Sequence, residues 1–164
     1  MHDSQLSAQL IYLRNVESDD IAFFFRFQSD PEAGYMAGFG GCKPGDLLLH
    51  YAQWEIICAD QTLIKRTICY DDMVVGNVLC YEHEGRRELG YWIDRAYWGL
   101  GIATAALGLF LDQYAHRPLY ARCVADNKAS QRVLEKNGFQ FCAQEQAFSD
   151  TRNAEVTELV YMLN

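Results

Sequence analysis

The chain has 164 residues, half of them hydrophobic and 13% aromatic, enough for one domain with a substantial core and too few for a second of full size. Lys and Arg together number 14 against 22 Asp and Glu, a formal net charge of -8. That balance excludes a broad electrostatic grip on a phosphate backbone, so nucleic acid is not an expected partner, and it is compatible with a cationic substrate without identifying one.

In chain order, Leu10 to Val16 reads as a short strand, and Ser18-Asp19-Asp20 supplies capping groups for a helix carrying Ile21, Phe23, Phe24 and Phe27 that Asp30-Pro31 should stop. A glycine-rich stretch, Gly38 to Gly45, leads to a second helix over Asp46 to Ala59. Three strands follow, Leu63 to Tyr70, Val74 to Tyr81 and Glu88 to Ile93, joined through Asp71-Asp72 and Glu82 to Arg86 as an antiparallel meander. Beyond Trp98-Gly99-Leu100-Gly101 a helix runs through Tyr114 until Pro118 closes it off. Leu119 to Ala125 is a strand, Ala129 to Asn137 a helix ended by Gly138, and Phe139 to Phe148 with Val156 to Leu163 a closing hairpin. The fold class is α+β with a βαβα segment near the centre, a single domain over residues 1–164 with no repeat or linker.

The six cysteines (Cys42, Cys58, Cys69, Cys80, Cys123, Cys142) form no Cys-x-x-Cys and no Cys/His cluster, so neither a metal site nor a disulfide framework is expected. Cys69, Cys80 and Cys123 fall in apolar alternating segments, where a free thiol acts as a small buried hydrophobe, which points to the reducing cytoplasm. The N-terminus, MHDSQLSAQ, lacks a signal-type apolar stretch, and the longest apolar run, Ile102 to Leu111, is too short to span a bilayer, so no membrane association is expected. His2, His50, His83 and His116 form no motif and read as ordinary surface or core residues.

Two glycines one residue apart before a helix let the backbone turn sharply and let a ligand approach without meeting a Cβ. Every residue from Trp98 to Thr104 keeps its N–H, and the helix dipole adds attraction for an anion, so a pyrophosphate is the natural ligand. A dinucleotide fingerprint is not matched. The turn follows a late strand of an antiparallel meander, Thr104 stands where a third glycine belongs, and the ribose-binding acid is missing.

Tyr91-Trp92-Ile93-Asp94, Tyr97-Trp98-Gly99-Leu100-Gly101-Ile102-Ala103-Thr104, Asn127-Lys128-Ala129-Ser130 and Leu134-Glu135-Lys136-Asn137-Gly138-Phe139 together resemble the GNAT acetyltransferase superfamily, in particular its RimJ/RimL-type ribosomal-protein N-terminal acetyltransferases. The resemblance implies a mixed, mostly antiparallel sheet of six to seven strands flanked by about four helices, with a splayed central strand pair. It implies an acetyl-CoA-dependent N-acyltransferase without a metal, in which a primary amine attacks the thioester directly. The acceptor is then a protein N-terminus or a small amine, and the assembly a monomer or homodimer. A non-catalytic acyl-CoA-binding module on the same fold is the alternative.

On this resemblance, Trp98, Gly99, Leu100, Gly101, Ile102, Ala103 and Thr104 bind the CoA pyrophosphate through backbone amides, Trp98 standing where Gln or Arg is common. Trp92 and Ile93 contact the pantetheine arm, which lies in the strand gap as an added strand would. Asn127 touches that arm from the other side, caps the following helix, or does both.

Amide formation needs a neutral amine, whose free pKa is about 10, so a base is required. Glu88 is the first candidate, on one strand face with Gly90, Trp92 and Asp94; the bland reading is a hairpin-end residue balancing Arg86 and Arg87. Asp94 is the second. For the departing thiolate, another branch of the superfamily uses a Tyr where this chain has Leu134, which leaves Ser130, either as proton source or as a first-turn cap. Tyr35, Phe39, Trp54 and Phe148 to Arg152 are candidates for the acceptor wall, and Asp30, Glu32 and Asp150 for holding a cation.

Overall fold

The structure, a computed structural model, describes residues 10–164. After β1 (Ile11–Arg14) come three helices, α1 (Asp20–Gln28), α2 (Pro31–Ala37) and α3 (Leu47–Ala59), then the meander β2 (Ile64–Tyr70), β3 (Met73–His83) and β4 (Arg86–Ile93). The chain continues with α4 (Ile102–Gln113), β5 (Leu119–Val124), α5 (Lys128–Lys136), β6 (Gln140–Ser149) and β7 (Ala154–Leu163). His2 lies outside the described residues.

The strands form one seven-stranded sheet in the order β1-β2-β3-β4-β5-β7-β6. All neighbours are antiparallel except β4 and β5, which run parallel. The β2–β3 reversal puts Asp71 and Asp72 both at positive φ, the backbone of a two-residue hairpin turn whose twist suits the flanking strands.

Period-2 alternation, shifted by one residue at the bulge around Val75, divides the meander between two cores. Val78, Cys80, Leu89 and Ile93 face α4 and α5, packing with Ile102, Leu107, Phe110 and Leu134. On the opposite face Val74, Leu79 and Trp92 pack against Ile21, Phe24, Phe27 and Trp54 of α1 and α3.

Two local expectations change. The Asp30-Pro31 pair that should end the first helix also starts α2: the Asp30 carboxylate accepts from Glu32 N at 3.1 Å, and proline needs no N–H at a first helical position. The described residues therefore form five α-helices, one more than the sequence reading gives. Asp19 and Asp20 make no side-chain cap on α1; Asp20 is buried instead and bound to Arg14.

β4 and β5 pair only at Glu88↔Tyr120 and Leu89↔Ala121. Beyond that level β4 stays with β3 through Gly76↔Ile93, while β5 stays with β7 through Val124↔Glu158. Gly76 is part of the reason: a Cβ there would collide with the Trp92 carbonyl oxygen, so its absence lets β4 lie close against β3 as it leaves β5. The result is the splayed central pair that the resemblance implies.

Candidate active site

The gap between β4 and β5 is the floor of a cleft of about 840 Å³. One end is the turn into α4. Gly99 (φ 80°) and Gly101 (φ 76°) both hold the left-handed conformation, which a side chain would strain although open space surrounds each Cβ position. A valine at 101 would thus disturb the backbone as well as any ligand. Trp98 departs from expectation, since its amide donates to Arg95 O at 3.1 Å and is already used. Among the described residues, the six amides of Gly99, Leu100, Gly101, Ile102, Ala103 and Thr104 donate to no carbonyl, and they collect at the positive end of α4.

The side chains on this loop serve the fold. The Trp98 indole donates to Ile93 O at 3.0 Å, closing the end of β4, and Ile102 is buried in the main core. The Thr104 carbonyl accepts from Asn137 Nδ2 at 3.2 Å, which ties α4 to the end of α5. Ile93 is itself in the main core and the Trp92 ring packs with the opposite one, its Nε1 buried without a partner. What these two residues offer the cleft is chiefly the strand edge that β5 leaves unpaired.

Across the gap, Asn127 caps α5: its Oδ1 accepts from Ser130 N at 3.1 Å, while its Nδ2 donates to Met36 O at 3.3 Å. Ser149 Oγ donates to Gly38 O, and Arg152 reaches Tyr35 O and Met36 O, so α2 and the loop after it are strapped to the β5 side of the cleft. Arg95 binds Asp30 and Glu32 and fastens the same strap to the β4 side.

The Ser130 hydroxyl is 2.7 Å from the Tyr91 hydroxyl, on the face occupied by α4 and α5. Burial pushes the Tyr91 phenol up to about 12 against the opposing effect of that hydrogen bond, and burial pushes the neighbouring Cys123 thiol up to about 11. Both are protonated at neutral pH. Tyr91 escapes sequence reasoning because strand alternation marks it only as a core-facing residue.

Glu88 is on the other face with its side chain 3% exposed, and Oε1 accepts from Arg122 Nε at 2.9 Å. Arg86 and Arg87, its nearest basic neighbours in sequence, point elsewhere: Arg86 lies over the Tyr120 ring and Arg87 binds Tyr114 and Thr62 O. Arg122 also binds Glu145 and lies 3.8 Å from Glu158. Tyr81 and His83 complete this wall. The available signal for Arg122 is a charge alternating with apolar residues inside an otherwise buried strand, Leu119-Tyr120-Ala121-Arg122-Cys123-Val124.

Other candidates fall away from the cleft. Asp94 caps the turn at Arg95–Tyr97 by accepting from Ala96 N. Trp54 is buried against Phe24, and Phe148 faces solvent. Phe39 does line the cleft, whereas Tyr35 lies beside it under the Arg152 guanidinium.

The family described as Acetyltransferase (GNAT) domain matches residues 11–140. The ribosomal-protein-serine acetyltransferase of Escherichia coli is 38% identical over 56 residues, a match that spans 32% of this chain and 31% of that relative. RimJ of Mycobacterium smegmatis, solved with a CoA disulfide, superposes with a TM-score of 0.75 at 23% identity over 96% of this chain and 83% of that one. RimL, the ribosomal L7/L12 α-N-protein acetyltransferase, superposes in its ligand-free form with a TM-score of 0.79 at 16% identity over 96% and 91%.

Proposed function

This chain belongs to the GNAT acetyltransferase family, and on that footing we propose that it transfers an acetyl group from acetyl-CoA to a primary amine, on a protein N-terminus or a small molecule. The observation that carries the reading is the row of six free amides from Gly99 to Thr104 at the mouth of the β4–β5 gap. Such a row at a helix N-terminus suits a pyrophosphate, and the open edge of β4 suits an extended, amide-bearing arm. The CoA disulfide held by the similar RimJ supports the same ligand. In this reading Trp92 and Ile93 act through their backbone. Asn127 orders the start of α5, and any contact with the arm is secondary to its cap and strap bonds.

The amine enters from the wall of Tyr81, Glu88 and Arg122, loses a proton and attacks the thioester carbonyl. Ser130 serves the departing sulfur: either hydroxyl of the Tyr91–Ser130 pair can donate, and with the protonated Tyr91 as donor the serine's own hydrogen is left for the thiolate. Glu88 belongs to the same machinery, with Oε1 on Arg122 and no donor to Oε2 among the described residues. The six cysteines are free thiols, which supports a reducing compartment, the cytoplasm.

A thiol-release screen over protein N-terminal peptides, polyamines, amino acids and aminoglycosides tests the proposal. At least one class should release CoA thiol in proportion to acetylated amine. Acetyl-CoA binding without thiol release on any amine would instead favour an acyl-CoA-binding module.

A further inference from the structure

Two carboxylates line the cleft, Glu88 and Glu158, and they are held differently. Glu88 is locked to Arg122, so protonating it would break a buried ion pair. Glu158 is on β7 opposite Val124, past the level where β4 and β5 stop pairing. Its side chain is 14% exposed, and its one basic contact among the described residues is Arg122 Nη1 at 3.8 Å, too long for a hydrogen bond. Tyr81 and His83 from β3, Glu88 from β4, Arg122 from β5 and Glu145 from β6 all act on it. Its oxygens are not fully buried and receive no hydrogen bond from the described residues, so the carboxylate is open to whatever enters the cleft.

We propose that Glu158 is the catalytic base, taking the proton from the acceptor's ammonium while Glu88 holds Arg122 in place beside it. This rests on the acetyltransferase reading above. One proton of the ammonium passes to Glu158, the nitrogen lone pair forms the C–N bond, and the C–S bond breaks with its electrons on sulfur. The nitrogen gives up a second proton as the amide forms, the thiolate takes one up through Ser130, and Glu158 returns its own to solvent. The products are an N-acetyl amide, CoA thiol and one released proton. Burial raises the Glu158 carboxyl above the ordinary carboxylate range; Arg122 opposes that, and the Glu145 and Glu88 charges add to it. A carboxylate raised in this way is better matched to deprotonating an amine near neutral pH.

The test is Glu158→Gln, with amine kcat/KM followed against pH by thiol release and acetyl-CoA affinity by calorimetry. The wild-type rate should rise with pH through the Glu158 ionisation. The variant should lose that limb, be slower by about 10²–10⁴-fold at neutral pH, recover as the amine deprotonates itself, and bind acetyl-CoA as before. Glu145→Gln, which removes a charge from the exposed side of Arg122, should keep the limb. A Glu158→Gln enzyme with the wild-type rate and limb overturns the assignment alone. A wild-type enzyme that binds acetyl-CoA yet acetylates no amine overturns the acetyltransferase reading and the assignment with it.

Discussion

Arg14 and Arg122 each bind a carboxylate whose side chain is 3% exposed, Asp20 in one case and Glu88 in the other, and the two groups differ in what surrounds them. Asp20 receives four hydrogen bonds, from Arg14 Nη1 at 2.6 Å, Arg14 Nη2 at 2.8 Å, Glu17 N at 2.8 Å and Thr67 Oγ1 at 2.7 Å. Both Asp20 oxygens are satisfied there, and the other carboxylate near Arg14, Glu17 at 3.8 Å, is exposed to solvent. Around Arg122 a single guanidinium is shared by Glu88, Glu145 and Glu158, and Glu158 receives no hydrogen bond among the described residues. A closed group gives a substrate nothing to do, so the first pins β1, α1 and β2 together. An over-supplied group keeps an acceptor free for a proton, so the second is the one proposed above for chemistry.

The largest effect that would break this contrast comes from the closed group. Asp20→Asn should destabilise the protein by about 3–5 kcal/mol in denaturant unfolding, because it strands the Arg14 charge, while amine turnover by the folded fraction stays near wild type. Burial pushes the Asp20 carboxyl up, but Arg14, the Glu17 amide and Thr67 together hold it below its ordinary value. Its contribution is therefore complete above the ordinary carboxylate pKa and is lost as pH falls through the depressed one. The gap between wild type and Asp20→Asn should close over that acid window. A pH-independent gap would mean that Asp20 matters for shape alone.

The open group should behave in the opposite sense. With the Glu158 carboxyl raised, its ionisation costs stability as pH rises through the folded-state value, and protonation restores it. Glu158→Gln should accordingly be more stable than wild type at neutral pH, by about 1 kcal/mol, with the advantage fading in acid. Thermal unfolding at two pH values measures this. A less stable variant would place Glu158 among the structural carboxylates and erase the contrast.

The smallest effect sharpens the comparison with the far side of the cleft. Tyr91→Phe removes one hydrogen bond to Ser130, worth about 1 kcal/mol or roughly fivefold in rate. The loss should appear in kcat for acetyl-CoA and shrink for an acetyl thioester of a more acidic thiol, which needs less help to leave. An equal loss with both donors would make the pair a packing feature.

Much of the fold is legible in the sequence because its signals are local. Asp71-Asp72 and Glu84-Gly85 mark the hairpin turns of the meander, and Gly99 with Gly101 marks a left-handed turn that opens a helix onto free amides. Asn127 three residues before Ser130 is a helix cap in either medium. The α2 helix is missed through a local ambiguity, since Pro31 obeys the same rule as a stop for one helix and as a first residue for the next.

Side-chain partnerships are less legible. Asp20 reads as a cap in sequence and is a buried ion-pair member in space, because Thr67 reaches it from 47 residues away. Glu88 reads as a neighbour of Arg86 and Arg87, yet binds Arg122, 34 residues on, and Tyr91 finds Ser130 across 39. The sequence by itself determines the alternation of strands, the amide-lined turn before α4 and the helix starts, since each depends on dihedral preferences and spacing within a few residues. Which charges meet was decided only by the tertiary structure. The order β4-β5-β7-β6 and its register bring Glu88, Arg122 and Glu158 to one face of one cleft, with Glu145 on the exposed side of Arg122, and a pairing register between distant strands is a property of the assembled sheet.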